Sequence, residues 1–387
     1  MDPQTFRVLI VGAGSAGLEA AFRLQRIAAD RVETAILAPD EHFATHAMAV
    51  LVPFAAGEVP HEPLARMVLE AGARLHRGRM ASVDTDAHQV LTAEGEAIDY
   101  DALLIAVGAV QRSPTGHALA FGGPGTEERM HGLVQDLEAG YVRRIAFVVP
   151  TGATWPVPLY ELALMTADRA YEMGQDPELT LVTAEESPLG LFGPEASSTL
   201  AARLAKSGIA VHAGVDAHVP TAGVVELHPS GERISVDRVV TLPILDGPAP
   251  TGLPHDARGF LPVDPHGRVQ GARDVYAAGD ATHHPIKQGG LASQQADAAA
   301  EAIAAQAGVA IEPEPYAAML QGVLLTERAA TYLRRETSGA VPHQAVWWPP
   351  TKIAGRELSR HLGSVSRHTA AAESEGVEIH QPVATDG

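Results

Sequence analysis

The apolar run Phe6–Val11 ends at a glycine, a pattern typical of a buried parallel strand. Residues 15–25 then carry apolar side chains at helical spacing, and a second apolar strand covers residues 33–37. Together these segments predict a strand–helix–strand unit of about 30 residues.

The same alternation of short apolar strands and helical segments returns further along the chain. The pattern predicts strands at 81–84, 89–91, 101–108, 144–149, 179–183, 209–212 and 236–242, and helices at 64–71, 160–173, 197–206 and 291–306. Residues 320–325 and 330–333 are predicted to pair as strands, and residues 353–362 to form a short amphipathic helix. The pattern indicates an α/β fold built from two units of similar layout.

Composition narrows the class of protein. The chain has 387 residues, enough for two domains, and 46% hydrophobic residues fits a folded protein. A formal net charge of -19 argues against nucleic acid and anionic membrane surfaces as partners, because both require basic patches. No apolar run reaches about 18 residues, the length of a candidate bilayer span, and no basic leader precedes the first strand. We therefore expect a cytoplasmic protein with no transmembrane segment.

The sequence contains no cysteine. This removes protein disulfides, thiolate nucleophiles, iron–sulfur ligation and most zinc sites from consideration. His42 and His46 follow the second strand, but no histidine or carboxylate spacing is typical of a metal site, so no metal is expected.

A glycine-rich turn joins the first strand to the first helix. Gly12 permits the tight turn, Gly14 lets backbone amides approach a pyrophosphate, and Gly17 lets the helix pack closely on the strand. The helix N-terminus adds partial positive charge, which favours phosphate. This turn, in this context, predicts a dinucleotide-binding site.

One element of that motif departs from the usual pattern. An acidic residue normally ends the second strand and binds the ribose hydroxyls. Here Ala38 holds that place, with Asp40 and Glu41 just beyond it. Either carboxylate, or the backbone, is a candidate ribose ligand.

A second turn lies far downstream, at Val275-Tyr-Ala-Ala-Gly279-Asp280, and runs on into Lys287-Gln-Gly289-Gly290. With the first turn and the strand Asp101–Gly108, these stretches resemble the pyridine nucleotide–disulfide oxidoreductase superfamily of flavoproteins. Within it, the chain is most similar to the sulfide:quinone oxidoreductase and type II NADH dehydrogenase branch. The resemblance covers about residues 6–306.

The resemblance implies two Rossmann-like (FAD/NAD(P)-binding) domains, with the FAD domain discontinuous, and a small C-terminal region. The expected limits are 1–115 and 251–315 for the two parts of the FAD-binding domain, 116–250 for the second dinucleotide-binding-like domain, 316–362 for a C-terminal interface region and 363–387 for a disordered tail.

The resemblance also implies a set of cofactor-binding residues. Asp280 would hold the flavin ribitol or a phosphate-bound water, and the helix start at Gly289–Leu291 would lie beside the flavin pyrimidine edge. Lys287 nearby would stabilise negative charge on the reduced flavin. The residues expected to bind FAD are Gly12, Gly14, Ser15, Ala16, Gly17, Ala38, Asp40, Val83, Ala106, Gly108, Gly279, Asp280, Lys287, Gly290 and Leu291.

The stretch that normally holds NAD(P)H in this superfamily is altered. If Gly152 is the central glycine of the turn, Pro150 and Trp155 occupy the two outer glycine places. Proline removes an amide donor, and tryptophan would obstruct a pyrophosphate. We interpret this turn as a degraded pyridine-nucleotide site. Sulfide oxidation by the disulfide chemistry of the related branch is also excluded, because the chain has no cysteine.

Catalytic residues are not identified by this pattern. His284 and Lys287 are candidates, although the interpretation we favour for His283 and His284 is that of surface loop residues. Trp155, Trp347 and Trp348 either line an aromatic acceptor site or fill a core edge.

Three functions stay open at this point. The first is an FAD-dependent oxidoreductase that passes electrons from a small donor to a quinone-like or other acceptor, without a redox disulfide. The second is an NAD(P)H-dependent flavin reductase or dehydrogenase, and the third is a non-catalytic flavin-binding protein. A homodimer is an open arrangement for each of the three.

Overall fold

A computed structural model describes residues 5–326, 330–336, 352 and 355–362 of the chain. The Trp347-Trp348-Pro349-Pro350 segment and the tail expected at 363–387 lie outside these residues. In the described part, the strands are β1 Phe6–Val11, β2 Val32–Ala38, β3 His42–Ala44, β4 His61–Pro63, β5 Arg74–Arg77, β6 Met80–Asp84, β7 Gln89–Thr92, β8 Ala97–Asp99, β9 Ala102–Ile105, β10 Val110–Arg112, β11 Leu119–Ala120, β12 Arg144–Val148, β13 Glu178–Thr183, β14 Ile209–Ala213, β15 Asp216–Thr221, β16 Val224–His228, β17 Arg233–Ser235, β18 Arg238–Thr241, β19 Ile244–Asp246, β20 Val275–Ala277, β21 Met319–Leu325 and β22 Ala330–Glu336.

Helices connect these strands and cover one face of each large sheet. They are α1 Ser15–Ala28, α2 Leu64–Glu70, α3 Thr126–Glu138, α4 Val157–Glu172, α5 Pro194–Lys206, α6 Gly289–Gln306 and α7 Leu358–His361, with short 3-10 turns at His46–Phe54, Gly190–Phe192 and Gly279–Ala281. None of the helices in the described ranges is long and apolar enough to span a membrane.

Two five-stranded parallel sheets organise the molecule. The first has the order β20-β9-β1-β2-β5, and the second has the order β11-β18-β12-β13-β14. In the first sheet Ile10 pairs with Ile36 on one side and with Leu104 on the other. Strand β20 comes from residues 275–277, so a late part of the chain completes the sheet that the first residues begin. The predicted α/β fold with two Rossmann-like units is confirmed, while the residue limits of the domains stay predictions.

Both faces of each large sheet are covered. Side chains alternate between the two faces along the central strands, so successive residues pack against different layers. In β1, Val8 and Ile10 face helices α1 and α6, whereas Leu9 and Val11 face the antiparallel sheet β6-β7-β8. The second sheet repeats this layering with helices α3, α4 and α5 on one side and the antiparallel sheet β15-β16-β17 on the other. Both units therefore have a helix layer, a parallel sheet and a three-stranded antiparallel layer.

The last described elements join the C-terminal part of the chain to both units. Strands β21 and β22 pair as the predicted hairpin, with Leu325 opposite Ala330. The predicted helix at 353–362 begins only at Leu358, where the buried Glu19 carboxylate of α1 accepts the backbone N–H groups of Glu357 and Leu358 at 2.7 and 2.8 Å. Gly355 packs so closely on Glu19 that a Cβ there would lie 2.2 Å from its carboxylate oxygen.

Candidate functional site

A cavity of about 680 Å³ lies at the carboxyl ends of the first parallel sheet. Its walls are the turns that follow β1, β2, β9 and β20, together with residues 78–81 and 248–251. The carboxyl edge of an open parallel sheet is the usual place for a dinucleotide. The topology therefore brings two distant sequence motifs, at residues 12–16 and 278–280, into one wall.

The three glycines of the first turn have three different environments. Gly12 has φ +104°, and a Cβ there would lie 2.3 Å from the carbonyl oxygen of Ala106. A Cβ on Gly17 would lie 2.0 Å from the carbonyl oxygen of Gly12, so helix and turn meet there without room for a side chain. Apart from the adjoining backbone, no atom of the described residues lies within 4 Å of the Cβ position of Gly14, which faces the open cavity.

The start of α1 leaves hydrogen-bond donors available to a ligand. Gly14 is the N-cap residue and provides no side-chain cap. The first amide groups of any helix lack partners within the helix. Here those of Ser15 and Ala16 belong to residues that line the cavity. An amide cluster with the positive end of a helix dipole fits a phosphate group, and the open position at Gly14 leaves space for one.

The acidic residue beyond β2 that lines the cavity is Asp40. Its side chain is exposed, and it lies beside Pro39 in the cavity wall. Ala38 is fully buried and is not among the lining residues, because the last residue of β2 points into the core beneath the cavity. Of the two acidic candidates Asp40 and Glu41, only Asp40 lines the cavity.

Several expected cofactor residues lie behind the cavity wall rather than on it. Gly17, Val83, Gly290 and Leu291 are outside the lining set, whereas Gly12, Gly14, Ser15, Ala16, Asp40, Ala106, Gly108, Gly279 and Asp280 are within it. Val83 is buried, and its N–H donates to the carbonyl of Thr251 at 2.9 Å, which places residues 250–251 on the wall in front of it. The sequence alone did not indicate this contribution from residues 248–251.

A second cavity of about 490 Å³ adjoins the first. Its apolar lining includes Trp155, Val157, Pro158 and Val323, from the start of α4 and from β21, and its polar lining includes His42, Lys287, Gln288 and Lys352. The residues that line both cavities are Ala13, Gly14, Ser15, Asp40, His46, Asp280 and Gly289.

Asp280 lies at this junction, and Lys287 lines the second cavity near enough to act on it electrostatically. Burial raises the pKa of the Asp280 carboxyl, and the nearby Lys287 charge opposes that rise. Among the described residues, no side chain or backbone group donates a hydrogen bond to this carboxylate. A partly buried acidic group that lines a cavity without a protein donor fits a ligand that carries hydroxyl groups.

Lys287 is 5% exposed, and burial lowers the pKa of its ammonium to about 8. The Nζ atom donates to the carbonyl oxygen of Thr282 and lies 3.9 Å from the ring centroid of Phe260. The cation–π contact and the single hydrogen bond to a carbonyl compensate only part of the hydration that the Lys287 ammonium loses on burial. The result is a cation beside the second cavity that releases its proton more readily than an exposed lysine.

His284 does not line either cavity. Its imidazole packs edge-on against Tyr316 with ring centroids 5.5 Å apart, and its Nδ1 atom lies 3.1 Å from the carbonyl oxygen of Ile286. Burial lowers the pKa of this histidine. The structure therefore separates the two catalytic candidates and places Lys287, not His284, against open space.

The turn between β12 and α4 differs from the first turn in its donors. Pro156 is the N-cap residue of α4, and Pro158 is in the first helical turn. Neither has a backbone N–H. The N–H of Leu159 is used by the carbonyl of Pro156 at 2.9 Å. This helix start offers few donors to a phosphate.

Glu185, the acidic residue beyond β13, is already hydrogen-bonded within the protein. Glu185 accepts a hydrogen bond from the Tyr160 hydroxyl at 2.6 Å, and burial raises the pKa of the Glu185 carboxyl. Trp155 turns away from this region, with its ring centroid 5.8 Å from that of Phe192, and packs against β21 at Gly322. Trp155 thus belongs to the wall of the second cavity, and Tyr160 is buried in the core beside α4.

Lys352, from the C-terminal part of the chain, lines this cavity and forms a buried ion pair with Glu161 of α4. Lys352 Nζ donates to both carboxylate oxygens of the fully buried Glu161, at 2.5 and 2.7 Å, and the N–H of Leu325 donates to the same carboxylate at 2.7 Å. Burial raises the pKa of Glu161, and the ion pair opposes the rise. Sequence analysis did not indicate this pair, because its members are far apart in the chain.

Comparison with known proteins gives one family and several relatives. A model described as pyridine nucleotide-disulphide oxidoreductase matches residues 6–302. Oxidoreductase ptaL of Pestalotiopsis fici is 24% identical over 342 residues, which are 82% of this chain and 87% of that protein. The sulfide:quinone oxidoreductase of Aquifex aeolicus has a similar structure, with TM-score 0.78 and 18% identity, over 86% of this chain and 84% of the other. NDH2 of Plasmodium falciparum superposes with TM-score 0.59 and 14% identity, over 72% and 64% of the two chains.

Proposed function

The chain belongs to the pyridine nucleotide-disulphide oxidoreductase family, and from this premise we propose that it passes electrons through non-covalent FAD from a small donor to a quinone-like acceptor. The observation that carries the proposal is the pair of connected cavities, one with a phosphate-type cradle and one with an apolar surface around Trp155. The sequence has no cysteine, so a redox disulfide takes no part. A bound flavin supplies the one- and two-electron chemistry that these side chains lack.

The first cavity has groups that suit the separate parts of FAD. The α1 start at Gly14–Ala16 suits the pyrophosphate, and Asp40 suits the adenosine ribose. Asp280 lies where the two cavities meet and suits the hydroxyl-bearing chain that leads to the flavin ring. A cysteinyl link to the flavin is excluded, because the chain has no cysteine.

The second cavity suits a flat, mainly apolar acceptor. Trp155 provides an aromatic surface, and Val157, Pro158 and Val323 extend the apolar wall. Lys287 can supply a proton from its Nζ atom at neutral pH, since its pKa is lowered to about 8. The shared fold with a sulfide:quinone oxidoreductase supports a quinone-like acceptor, whereas sulfide as donor is disfavoured because the cysteines are missing.

The first experiment identifies the cofactor and the donor. The purified protein is expected to be yellow, and mass spectrometry of the acid-released compound should give FAD. Anaerobic addition of NADH, NADPH, sulfide and hydroquinones in turn then shows which donor bleaches the flavin. A colourless protein that takes up no added FAD would contradict the proposal at its base.

The second experiment tests the acceptor site. Enzyme reduced with dithionite is mixed with a short-chain ubiquinone analogue, and reoxidation is followed by stopped-flow absorbance. Trp155→Ala should slow reoxidation by the quinone while leaving flavin content and reoxidation by ferricyanide unchanged. Tyr141→Ala, which removes an aromatic side chain that is 82% exposed, is the matched control. Equal quinone rates in wild type and Trp155→Ala would place the acceptor elsewhere.

A further inference from the structure

We propose that His218, Glu226 and His228 form a surface site for a divalent transition-metal ion of the zinc class. The three side chains lie on the antiparallel sheet β15-β16-β17, which covers the second parallel sheet. None of them lines either cavity. The site is therefore separate from the proposed flavin chemistry.

Strand register brings these ligands to one face. Glu226 and His228 are two residues apart on β16, so their side chains project from the same side of the sheet. His218 on β15 is directly opposite Glu226 in the antiparallel pairing. Directly opposed residues of adjacent strands have neighbouring side chains, which is the arrangement a shared ion requires.

The distances between ligand atoms are close to those of a coordination sphere. The Nε2 atoms of His218 and His228 lie 3.8 and 3.9 Å from Oε1 of Glu226. One candidate atom from each residue can be chosen so that all lie within 4.8 Å of one another. Zinc bonds of about 2.0–2.2 Å in a tetrahedral site imply ligand separations of roughly 3.3–3.5 Å. The observed separations are slightly longer than these values, so binding an ion requires the side chains to rotate towards it.

The two imidazoles now share a hydrogen bond, with His228 Nε2 lying 2.6 Å from Nδ1 of His218. Their rings are stacked with centroids 4.5 Å apart. A bound ion would replace this hydrogen bond, since each imidazole offers a lone pair when neutral. Two histidines and one carboxylate are a ligand set that zinc accepts, with the fourth position left to water.

Arg233 orients the carboxylate for this role. Both its Nε and its Nη2 atoms lie 2.7 Å from Oε2 of Glu226, which leaves Oε1 directed at the two histidines. Partners of this kind fix the orientation of a ligand and raise its affinity for the ion. The His218 and His228 side chains are 51% and 46% exposed, so an ion can enter directly from solvent.

The test is titration of the tag-free holoprotein with Zn²⁺ by calorimetry. We expect one site per chain with micromolar affinity, weakened about tenfold or more in His218→Ala and in His228→Ala. His255→Ala, which removes another exposed histidine, should bind as wild type does. Arg233→Met should weaken binding less than loss of a histidine, because it removes only the orienting partner.

A second readout separates a loss of ligands from a loss of folding. Saturating Zn²⁺ should raise the thermal unfolding midpoint of wild type and of His255→Ala, but not of either site variant. The metal-free midpoints of all these proteins should agree, since the substituted side chains are exposed. Binding weaker than millimolar in wild type, or unchanged binding in His228→Ala, would overturn the proposal.

Discussion

The two α/β units of this protein share an architecture but differ at the turn that would hold a dinucleotide. In both, the central strand, β1 or β12, leads through a turn into a helix that covers one face of a five-stranded parallel sheet. The turn after β1 keeps Gly12, Gly14 and Gly17, and it opens into a cavity. The turn after β12 carries Pro150 and Trp155 in the corresponding outer places.

The acidic residues beyond the second strand of each unit differ in the same way. Asp40 is exposed and lines the cavity, whereas Glu185 is partly buried and hydrogen-bonded to Tyr160 on the following helix. Both units thus have the same topology, but only the first unit combines open backbone donors at its turn with a carboxylate, that of Asp40, that lines a cavity. A binding site depends on these local groups, and the fold supplies only the place for them.

The largest expected effect comes from filling the open position in the first turn. Gly14→Val should abolish flavin binding, because its side chain would project into the space that a pyrophosphate requires. Absorbance at constant protein concentration measures the bound flavin. Gly116→Val is the matched control, since Gly116 also has no atom within 4 Å of its Cβ position and lies away from both cavities. A Gly14→Val protein with full flavin content would remove the functional distinction between the two turns.

The second prediction concerns pyridine nucleotides at the other turn. Loss of two charge-assisted hydrogen bonds at Pro150 and the α4 start, at about 1.5 kcal/mol each, would weaken nucleotide binding by about a hundredfold. We therefore expect NADH and NADPH at sub-millimolar concentration to reduce the flavin slowly or not at all. Stopped-flow measurement decides this, and rapid bleaching by either nucleotide would mean that the second unit binds them by other groups.

The third prediction tests the engaged carboxylate. Tyr160→Phe should lower the free energy of unfolding by about 1.5–3 kcal/mol at a pH above the raised pKa of Glu185, because the charged form of Glu185 loses a 2.6 Å hydrogen bond. Urea denaturation measures it, with Tyr141→Phe as the exposed control.

The pH dependence of that loss has a defined sign. The pKa of Glu185 is raised in the fold, so the carboxylate becomes protonated as pH falls towards and below that pKa. The tyrosine hydroxyl stabilises the ionised form. The difference between Tyr160→Phe and wild type should shrink as pH falls and be fully present above the raised pKa. A difference that is independent of pH would mean that Tyr160 acts through packing alone.

Sequence pattern predicted the parallel strands and the first cradle because both depend on local signals. The apolar run before Gly12 and the helical spacing after it are contiguous in the chain. The helix α3 at Thr126–Glu138 and the sheet β15-β16-β17 were not predicted, because their burial is mixed and their apolar positions are few. Their stability comes from packing on a sheet whose strands are distant in sequence.

The site could be predicted only in part for the same reason. Gly12 and Asp280 follow buried strands, and parallel pairing forces the ends of those strands together. The Lys352–Glu161 pair and the position of Trp155 at the second cavity depend on how the C-terminal segment returns to α4. No periodicity or spacing encodes that return.

The smallest expected effect concerns the charge at the junction of the cavities. Lys287→Met should lower the flavin midpoint potential, because a cation near the ring favours the negatively charged reduced form. A charge interaction of about 1–2 kcal/mol corresponds to a few tens of millivolts, at about 30 mV for each 1.4 kcal/mol of a two-electron couple. Lys206→Met, at an exposed position of α5, is the control.

The potential difference between wild type and Lys287→Met should itself depend on pH. Burial lowers the pKa of Lys287 from its ordinary 10.5 to about 8, so the ammonium is present at pH 6 to 7 and is lost as pH rises through about 8. The two midpoint potentials should therefore be furthest apart below pH 7 and converge above pH 9. Redox titration at both ends of this range distinguishes a charge effect from a packing effect, because replacing a side chain of similar length changes packing equally at all pH values. An unchanged or raised potential in Lys287→Met would show that the Lys287 charge does not stabilise the reduced flavin. The contacts of Lys287 with Thr282 and Phe260 would then serve only the protein structure.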